Sequence, residues 1–212
     1  MAVAVVVCSI FSSHNISSCY LCRVFSVKQM LKSVADPAQI TLIFKALKPL
    51  VYRLMTNTNA AEHVIETCVG NHPVEFRKYL LDEIVKHFVS ISKDRHGCNS
   101  VQQCVTLAQG ETRDCLISAV LWNLLFLAQD EYGHHVVAWL LQTGLPHVSD
   151  VIFEQFKGSF VLLYMRRFSH NVVKLLIQNL SREKLEEVKE ESNEGPHGIP
   201  LLAYIYRLME DM

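Results

Sequence analysis

The chain has 212 residues, half of them hydrophobic, and a formal net charge of −1 with a pI near 6.8. A chain of this length and composition can bury a substantial core. The near-neutral charge excludes a bulk basic field that would draw in nucleic acid or an anionic membrane, so any nucleic-acid binding must come from local contacts.

Residues 1–23 form an atypical N-terminal segment. The apolar run from Ala2 to Phe11 has no Lys or Arg before it and is too short to cross a bilayer. We therefore expect an atypical first helix, or a start upstream of the natural repeat, rather than a secretion signal. Cys19 and Cys22 have the spacing of half a zinc site, but no second pair follows at ligand spacing. Neither a metal nor another cofactor is expected.

The next segments predict helices. Val24 to Val34 is helical in pattern, and Asp36 as a cap with Pro37 in the first turn marks a new start. Ile40 to Met55 then occupies the place of one long helix, which Pro49 should kink or restart.

A twelve-residue pattern then occurs four times at an unbroken spacing of 36 residues. Before it, Ile84, Phe88 and Ile91 lie about one helical turn apart and predict a single first helix, which the pattern itself follows as a second. The fold class is therefore all-α, a right-handed-type α-solenoid of 36-residue repeats in a curved array, in which each unit buries its apolar face against its neighbours. The equivalent positions that define the period are Glu62, Cys98, His134 and His170.

The period also fixes the domain organisation. Three of the four first helices should open with an acid at one repeat position, Glu75, Glu111 or Glu183, where the helix dipole favours negative charge. Ile199 to Met209 predicts a short terminal helix after an interruption, plausible as a cap. The predicted array covers residues 24–190, with a partial unit at 24–43 and units at about 44–79, 80–115, 116–151 and 152–187. An interrupted unit with a capping helix follows at 191–212.

The second helix of each unit should display three positions. Residues one and four places after the first point about 100° and 40° from it, so the three share one face, while the residues two, three and six places after it form the buried stripe. Cys68 and Cys104 lie in that stripe where Leu140 and Leu176 stand in later units, which indicates small buried hydrophobes in a reducing compartment. Repeated displays of this kind line a concave surface that suits a single-stranded polymer or an extended peptide.

The chain resembles the Pumilio, or PUF, family of RNA-binding proteins. The resemblance lies in the repeat length and in the Gly-led signature from Gly97 to Gln102. The segments Val24–Leu31, Ala38–Ile40 and Ala46–Pro49 also resemble the family, particularly its plant members, and the similarity extends over about residues 24 to 190. In that family each repeat contacts one base, with two side chains on the base edge and a third stacked between bases.

The resemblance implies a role for each displayed residue. Cys98 with Gln102 matches a standard family pair that resembles an adenine reader, whereas Ala138 has no polar group. Glu62 and Glu66 place two like charges four residues apart, poorly suited to nearby phosphates, and favour an ordinary solvated helix face. The His134–His135 pair is equally compatible with stacking and with a solvated helix face, and His170 with Lys174 favours a weak phosphate contact. The implied edge residues are Cys98, Gln102, His134, His170, Lys174, Glu62 and Glu66, and the implied stacking residues are His63, Asn99, His135 and Asn171.

The resemblance further implies a cytoplasmic protein, with the nucleus as the alternative, that binds single-stranded RNA in messenger 3′ untranslated regions and controls translation and message stability. Protein partners would bind the convex face, and neither a membrane nor a metal is implied. No enzyme activity is expected, because the His, Cys and Asp residues recur with the period instead of forming one assembled site. The competing hypothesis is a degenerate repeat scaffold for protein partners in which RNA binding is weak or lost.

Overall fold

The computed structural model describes residues 19–56, 62–193 and 195–210, and over these ranges the regular secondary structure is helical, without a strand. The chain divides into two compact units, unit 1 up to Ala119 and unit 2 from Val120. The helices are α1 Cys19–Ser33, α2 Pro37–Leu47, α3 Val51–Met55, α4 Glu62–Asn71, α5 Val74–Lys86, α6 Phe88–Ser92, α7 Gly97–Leu107, α8 Glu111–Trp122, α9 Leu124–Ala128, α10 Gly133–Gln142, α11 Pro146–Phe156, α12 Phe160–Met165, α13 Ser169–Gln178, α14 Arg182–Ser192 and α15 Ile199–Glu210.

The first described helices follow their sequence signals. Asp36 caps α2, its carboxylate accepting a hydrogen bond of 3.2 Å from the Ala38 amide, and Pro37 occupies the first turn. Pro49 interrupts the next segment, which continues as a 3₁₀ turn at Lys48–Leu50 and then as α3. Both predictions are therefore confirmed, although α1 begins at Cys19, five residues before the predicted start.

The prediction of two helices per repeat is wrong, because each repeat has three helical segments. The apolar spacing across residues 84, 88 and 91 is continuous, yet the backbone leaves helical geometry at His87, with φ −102° and ψ 10°. Asn123 and Ser159 break the helix at the equivalent places, with φ −106° and −135°. A repeat therefore consists of a long helix, a short helix and the helix that carries the displayed residues.

The buried stripe agrees with the helical geometry expected from the sequence. In the four helices that carry the displayed residues, the predicted stripe positions are all buried, and Ser100 alone among them brings a hydroxyl into the core. Its Oγ donates to the Met55 carbonyl at 2.8 Å, which satisfies the buried polar group. The stripe consists of Val64, Ile65, Cys68, Ser100, Val101, Cys104, Val136, Val137, Leu140, Val172, Val173 and Leu176.

The long helices and the C-terminal segment also match expectation. Glu75, Glu111 and Glu183 lie in the first turns of α5, α8 and α14. A 3₁₀ turn at Pro196–Gly198 follows α14, and α15 is the predicted terminal helix.

Two sequence features bear on membranes and metals. The run from Ala2 to Phe11 lies outside the described residues, as do the side chains of Cys19 and Cys22. Among the helices that the structure describes, none combines the length and the apolar character that a membrane span requires. Within the same described ranges, no group of three or more His, Cys, Asp and Glu side chains is arranged to hold a metal ion.

Candidate functional site

The candidate site consists of repeated positions on α4, α7, α10 and α13, which we call the display helices. The stacking position is the second of the three displayed residues, and its side chain is exposed in every display helix. The first and fifth residues, the edge positions, are more recessed: Cys98, Glu66 and Ala138 are only 6%, 8% and 8% exposed. Gln102, His134, His170 and Lys174 are half-buried, and the Glu62 side chain lies outside the described residues.

A close backbone approach holds the starts of α7 and α10 against the preceding short helices. A Cβ atom at Gly97 would overlap the Ile91 carbonyl, and one at Gly133 would crowd the Leu127 carbonyl. In the next repeat Ser169 stands at this place and donates from Oγ to the Leu163 carbonyl at 2.7 Å. Glycine or a small hydroxyl residue is therefore needed where the display begins.

In unit 1, α7 carries the Cys98, Asn99 and Gln102 display. Asp94 fixes the start of the helix, because its Oδ1 accepts hydrogen bonds of 2.9 Å from the amides of His96 and Gly97. Asn99 is exposed, and no described residue forms a hydrogen bond with the half-buried Gln102 amide. The Gln102 amide therefore has a donor and an acceptor available to a ligand.

Helix α4 packs against α7 in unit 1, and two of its displayed side chains interact with each other. His63 Nδ1 lies 2.6 Å from Glu66 Oε2, while Glu66 Oε1 is buried without a hydrogen-bond partner among the described residues. Burial raises the pKa of the Cys104 thiol, and the Glu66 carboxylate raises it further. The Glu66 charge therefore points toward the core more than the helical geometry alone indicates.

In unit 2, α10 carries a ring of fixed orientation at its first edge position. His134 Nδ1 lies 2.9 Å from the Asp130 carbonyl, and the ring stacks on Phe168 with 5.6 Å between centroids and 27° between planes. The exposed His135 ring is 3.9 Å away, and burial together with His134 lowers the pKa of His135. Ala138 leaves the other edge position without a polar group.

The adjacent helix α13 of unit 2 repeats this construction with different residues. His170 Nδ1 lies 2.7 Å from the Tyr164 carbonyl, and the two rings are 4.3 Å apart at 47°. Lys174 places Nζ 5.2 Å from the centre of the Tyr204 ring, whose hydroxyl accepts a hydrogen bond of 3.0 Å from Gln178. Asn171 remains exposed at the stacking position.

Sequence reasoning missed the aromatic supports and the likeness of α15 to the display helices. Phe168 and Tyr164 hold the two histidine rings, and nothing in the 36-residue pattern identifies them as supports. A Cβ atom at Gly198 would overlap the Ser192 carbonyl, the same six-residue relation that links Gly97 to Ile91. That relation between a Gly and the end of the preceding helix could have identified α15 as a fifth helix built like the display helices.

Comparison with known proteins agrees with this architecture. A family model, the Pumilio-family RNA binding repeat, matches residues 87–121 and 123–155. The chain is similar to Pumilio homolog 12 of Arabidopsis thaliana, with 30% identity over 96 residues, and to a Pumilio domain-containing protein of Schizosaccharomyces pombe, with 33% identity over 79 residues. These matches cover 45% and 37% of this chain but only 16% and 12% of the relatives.

Solved structures show the same fold at low identity. A Puf4 double mutant bound to a Cox17 RNA 3′ UTR recognition sequence aligns with a TM-score of 0.73 and 18% identity, covering 89% of this chain and 67% of that one. The RNA-binding domain of yeast Puf5p bound to AAT2 RNA aligns with a TM-score of 0.68 and 21% identity, covering 99% and 57%. The all-helical repeat fold expected from the sequence is therefore confirmed.

Proposed function

We propose that the chain is a divergent member of the Pumilio family and that it binds single-stranded RNA through its display helices, one base per helix. The observation that carries this proposal is the repeated pairing of an exposed stacking residue with recessed edge residues. A base can enter between two exposed stacking side chains and meet the edge residues at its rim. Both units contribute displays of this kind.

The α7 display supports base recognition best. The Gln102 amide can donate and accept at a base edge, and the nearly buried Cys98 offers a small apolar contact. Asn99 is exposed where a base would stack. The expected ligand at this helix is adenine, as the family pair implies.

The proposed ligand in cells is messenger RNA, bound in 3′ untranslated regions to control translation and message stability. The similar Puf4 double mutant is bound to a 3′ UTR recognition sequence, and the same ligand class is the simplest extension to this chain. The proposed place of action is the cytoplasm or the nucleus. The displays act by binding, and we assign no catalytic step to them.

A second candidate function, a scaffold for protein partners, has its own observation. Trp122 and Phe126 in unit 2 are 88% and 74% exposed, far more than aromatic side chains of a purely structural role require. Such residues are enriched in protein interfaces. A scaffold would keep the folded repeats while RNA binding is weak.

Retention of a random RNA pool on the immobilised chain, at two salt concentrations, separates the two functions. An RNA binder enriches a short motif and loses affinity as salt rises, because Lys and Arg contacts release counterions. Gln102→Ala should relax preference at one base, at a cost of about 1–3 kcal/mol.

The matched control is Gln103→Ala, because Gln103 is exposed on the same helix but lies outside the displayed positions. It should leave the enriched motif unchanged. Failure of the wild-type chain to enrich any RNA at low salt would reject RNA binding in favour of the scaffold.

A further inference from the structure

The two histidines at edge positions of unit 2 share an unusual constraint. His134 Nδ1 faces the Asp130 carbonyl at 2.9 Å, and His170 Nδ1 faces the Tyr164 carbonyl at 2.7 Å. A carbonyl oxygen can only accept a hydrogen bond, so Nδ1 must carry the proton in both rings. In the neutral imidazole Nε2 is then an acceptor and cannot donate.

Packing holds both rings in place and leaves Nε2 available. Phe168 stacks on His134, and the Tyr164 ring packs against His170. Both side chains are half-buried, and no described residue forms a hydrogen bond with either Nε2 atom. Each ring therefore presents one acceptor of fixed chemistry at a place where a base edge would lie.

We propose that His134 and His170 read bases as hydrogen-bond acceptors and thereby select bases with an exocyclic amino group against uracil. This inference rests on the RNA-binding function proposed above. Adenine, cytosine and guanine each offer an amino N–H to an acceptor. Uracil offers one ring N–H between two carbonyl oxygens, whose lone pairs would face the lone pair of Nε2. A phosphate oxygen cannot donate to Nε2 either, so the neutral His170 ring contacts a base and leaves phosphate to Lys174.

The test begins with the RNA that the full chain selects from a random pool at pH 8. Each base of that RNA is then replaced by its counterpart without the amino group: purine for adenine, pyrimidin-2-one for cytosine and hypoxanthine for guanine. At the two bases read by His134 and His170, the replacement should weaken binding about three- to tenfold, the value of one hydrogen bond.

His134→Phe and His170→Phe assign each base to its histidine. Each variant keeps a ring for packing but removes the acceptor, so the amino-group penalty at its own base should vanish. His147→Phe, on an exposed outer position of α11, is the matched control and should leave every penalty unchanged. Circular dichroism checks that the variants fold, and the comparison of RNAs on the wild-type chain does not depend on them.

Three results overturn the inference. Selection of uracil at either base, or an amino-group penalty that persists in the Phe variants, rejects the acceptor role while RNA binding stands. Absence of any retained RNA rejects both the acceptor role and the proposed function.

Discussion

Units 1 and 2 have display helices with the same buried apolar stripe but with different side chains at the displayed positions. In unit 1 the display of α4 turns its Glu66 carboxylate inward, and α7 offers the unpaired Gln102 amide. In unit 2 both edge histidines are fixed by main-chain carbonyls and aromatic rings, and Lys174 adds a cation. The buried stripe beneath the two sets is equally complete.

The difference shows which positions of a repeat are constrained by folding and which are free. A buried position accepts Cys in unit 1 and Leu in unit 2, because both fill the core with apolar volume. The displayed positions change from acid to amide to imidazole without disturbing the stripe. Ligand preference can therefore diverge between the units while the fold persists.

The largest effect is expected at the starts of two display helices that differ, since α7 of unit 1 begins with Gly97 and α13 of unit 2 begins with Ser169. Gly97→Ala should destabilise unit 1 by about 1–3 kcal/mol, because the added Cβ overlaps the Ile91 carbonyl. Ser169→Ala in unit 2 should cost about 1 kcal/mol, since it removes one hydrogen bond to the Leu163 carbonyl. Urea denaturation measures both.

Gly195→Ala is the control for glycine replacement, because a Cβ there meets open space. If Gly97→Ala and Gly195→Ala unfold at the same urea concentration, the close approach of Gly97 to the Ile91 carbonyl is not needed for stability.

A smaller effect is expected from the one cation among the displays of unit 2. Lys174→Met should lower the slope of log affinity against log salt by about 0.7, the contribution of one contact to a single-stranded phosphate. Lys157→Met, whose Nζ pairs with Glu187 at 2.8 Å away from the displays, serves as the control. The prediction fails if the two variants change the slope equally.

The smallest effect concerns acid stability and is specific to unit 1. Burial and the Arg77 guanidinium lower the pKa of His72, whose ring packs edge-on against Phe44. Below about pH 6.5 the unfolded chain protonates His72, whereas the folded chain keeps it neutral to lower pH. The free energy of unfolding is therefore unaffected by His72 above that pH and decreases as the pH falls below it. His72→Gln should flatten the decline in urea midpoint between pH 7 and pH 5.

The exposed His147 of unit 2 provides the comparison for that measurement. His147→Gln should retain the decline seen in the wild-type chain. A wild-type midpoint that stays constant over the same range would contradict the role assigned to His72.

Much of the fold could be predicted because its signals are local. Asp36 with Pro37 marks a helix start, Pro49 marks a break, and the apolar spacing identifies each buried stripe. The division of each first helix into a long and a short segment escaped prediction, because the apolar residues stay in phase across the break. The in-phase polar residues His87, Asn123 and Ser159 carried that information.

The site was predictable as a set of positions but not as chemistry. Helical geometry places Glu66 on the display face, yet its burial depends on the neighbouring helix, which a single helix cannot reveal. Which ring nitrogen of His170 carries the proton depends on the Tyr164 carbonyl, a main-chain group that no side-chain pattern records. The assignments of individual residues to RNA bases remain predictions.

The buried cysteines give unit 1 a built-in reporter of its own opening. Burial raises the pKa of the Cys68 and Cys104 thiols, so both resist alkylation while the core is closed, whereas Cys115 is exposed. A chain with Cys8, Cys19, Cys22 and Cys98 replaced would label at Cys115 immediately and at Cys68 and Cys104 only during transient exposure. The delay between the two phases would time the breathing of this half of the protein without any added probe.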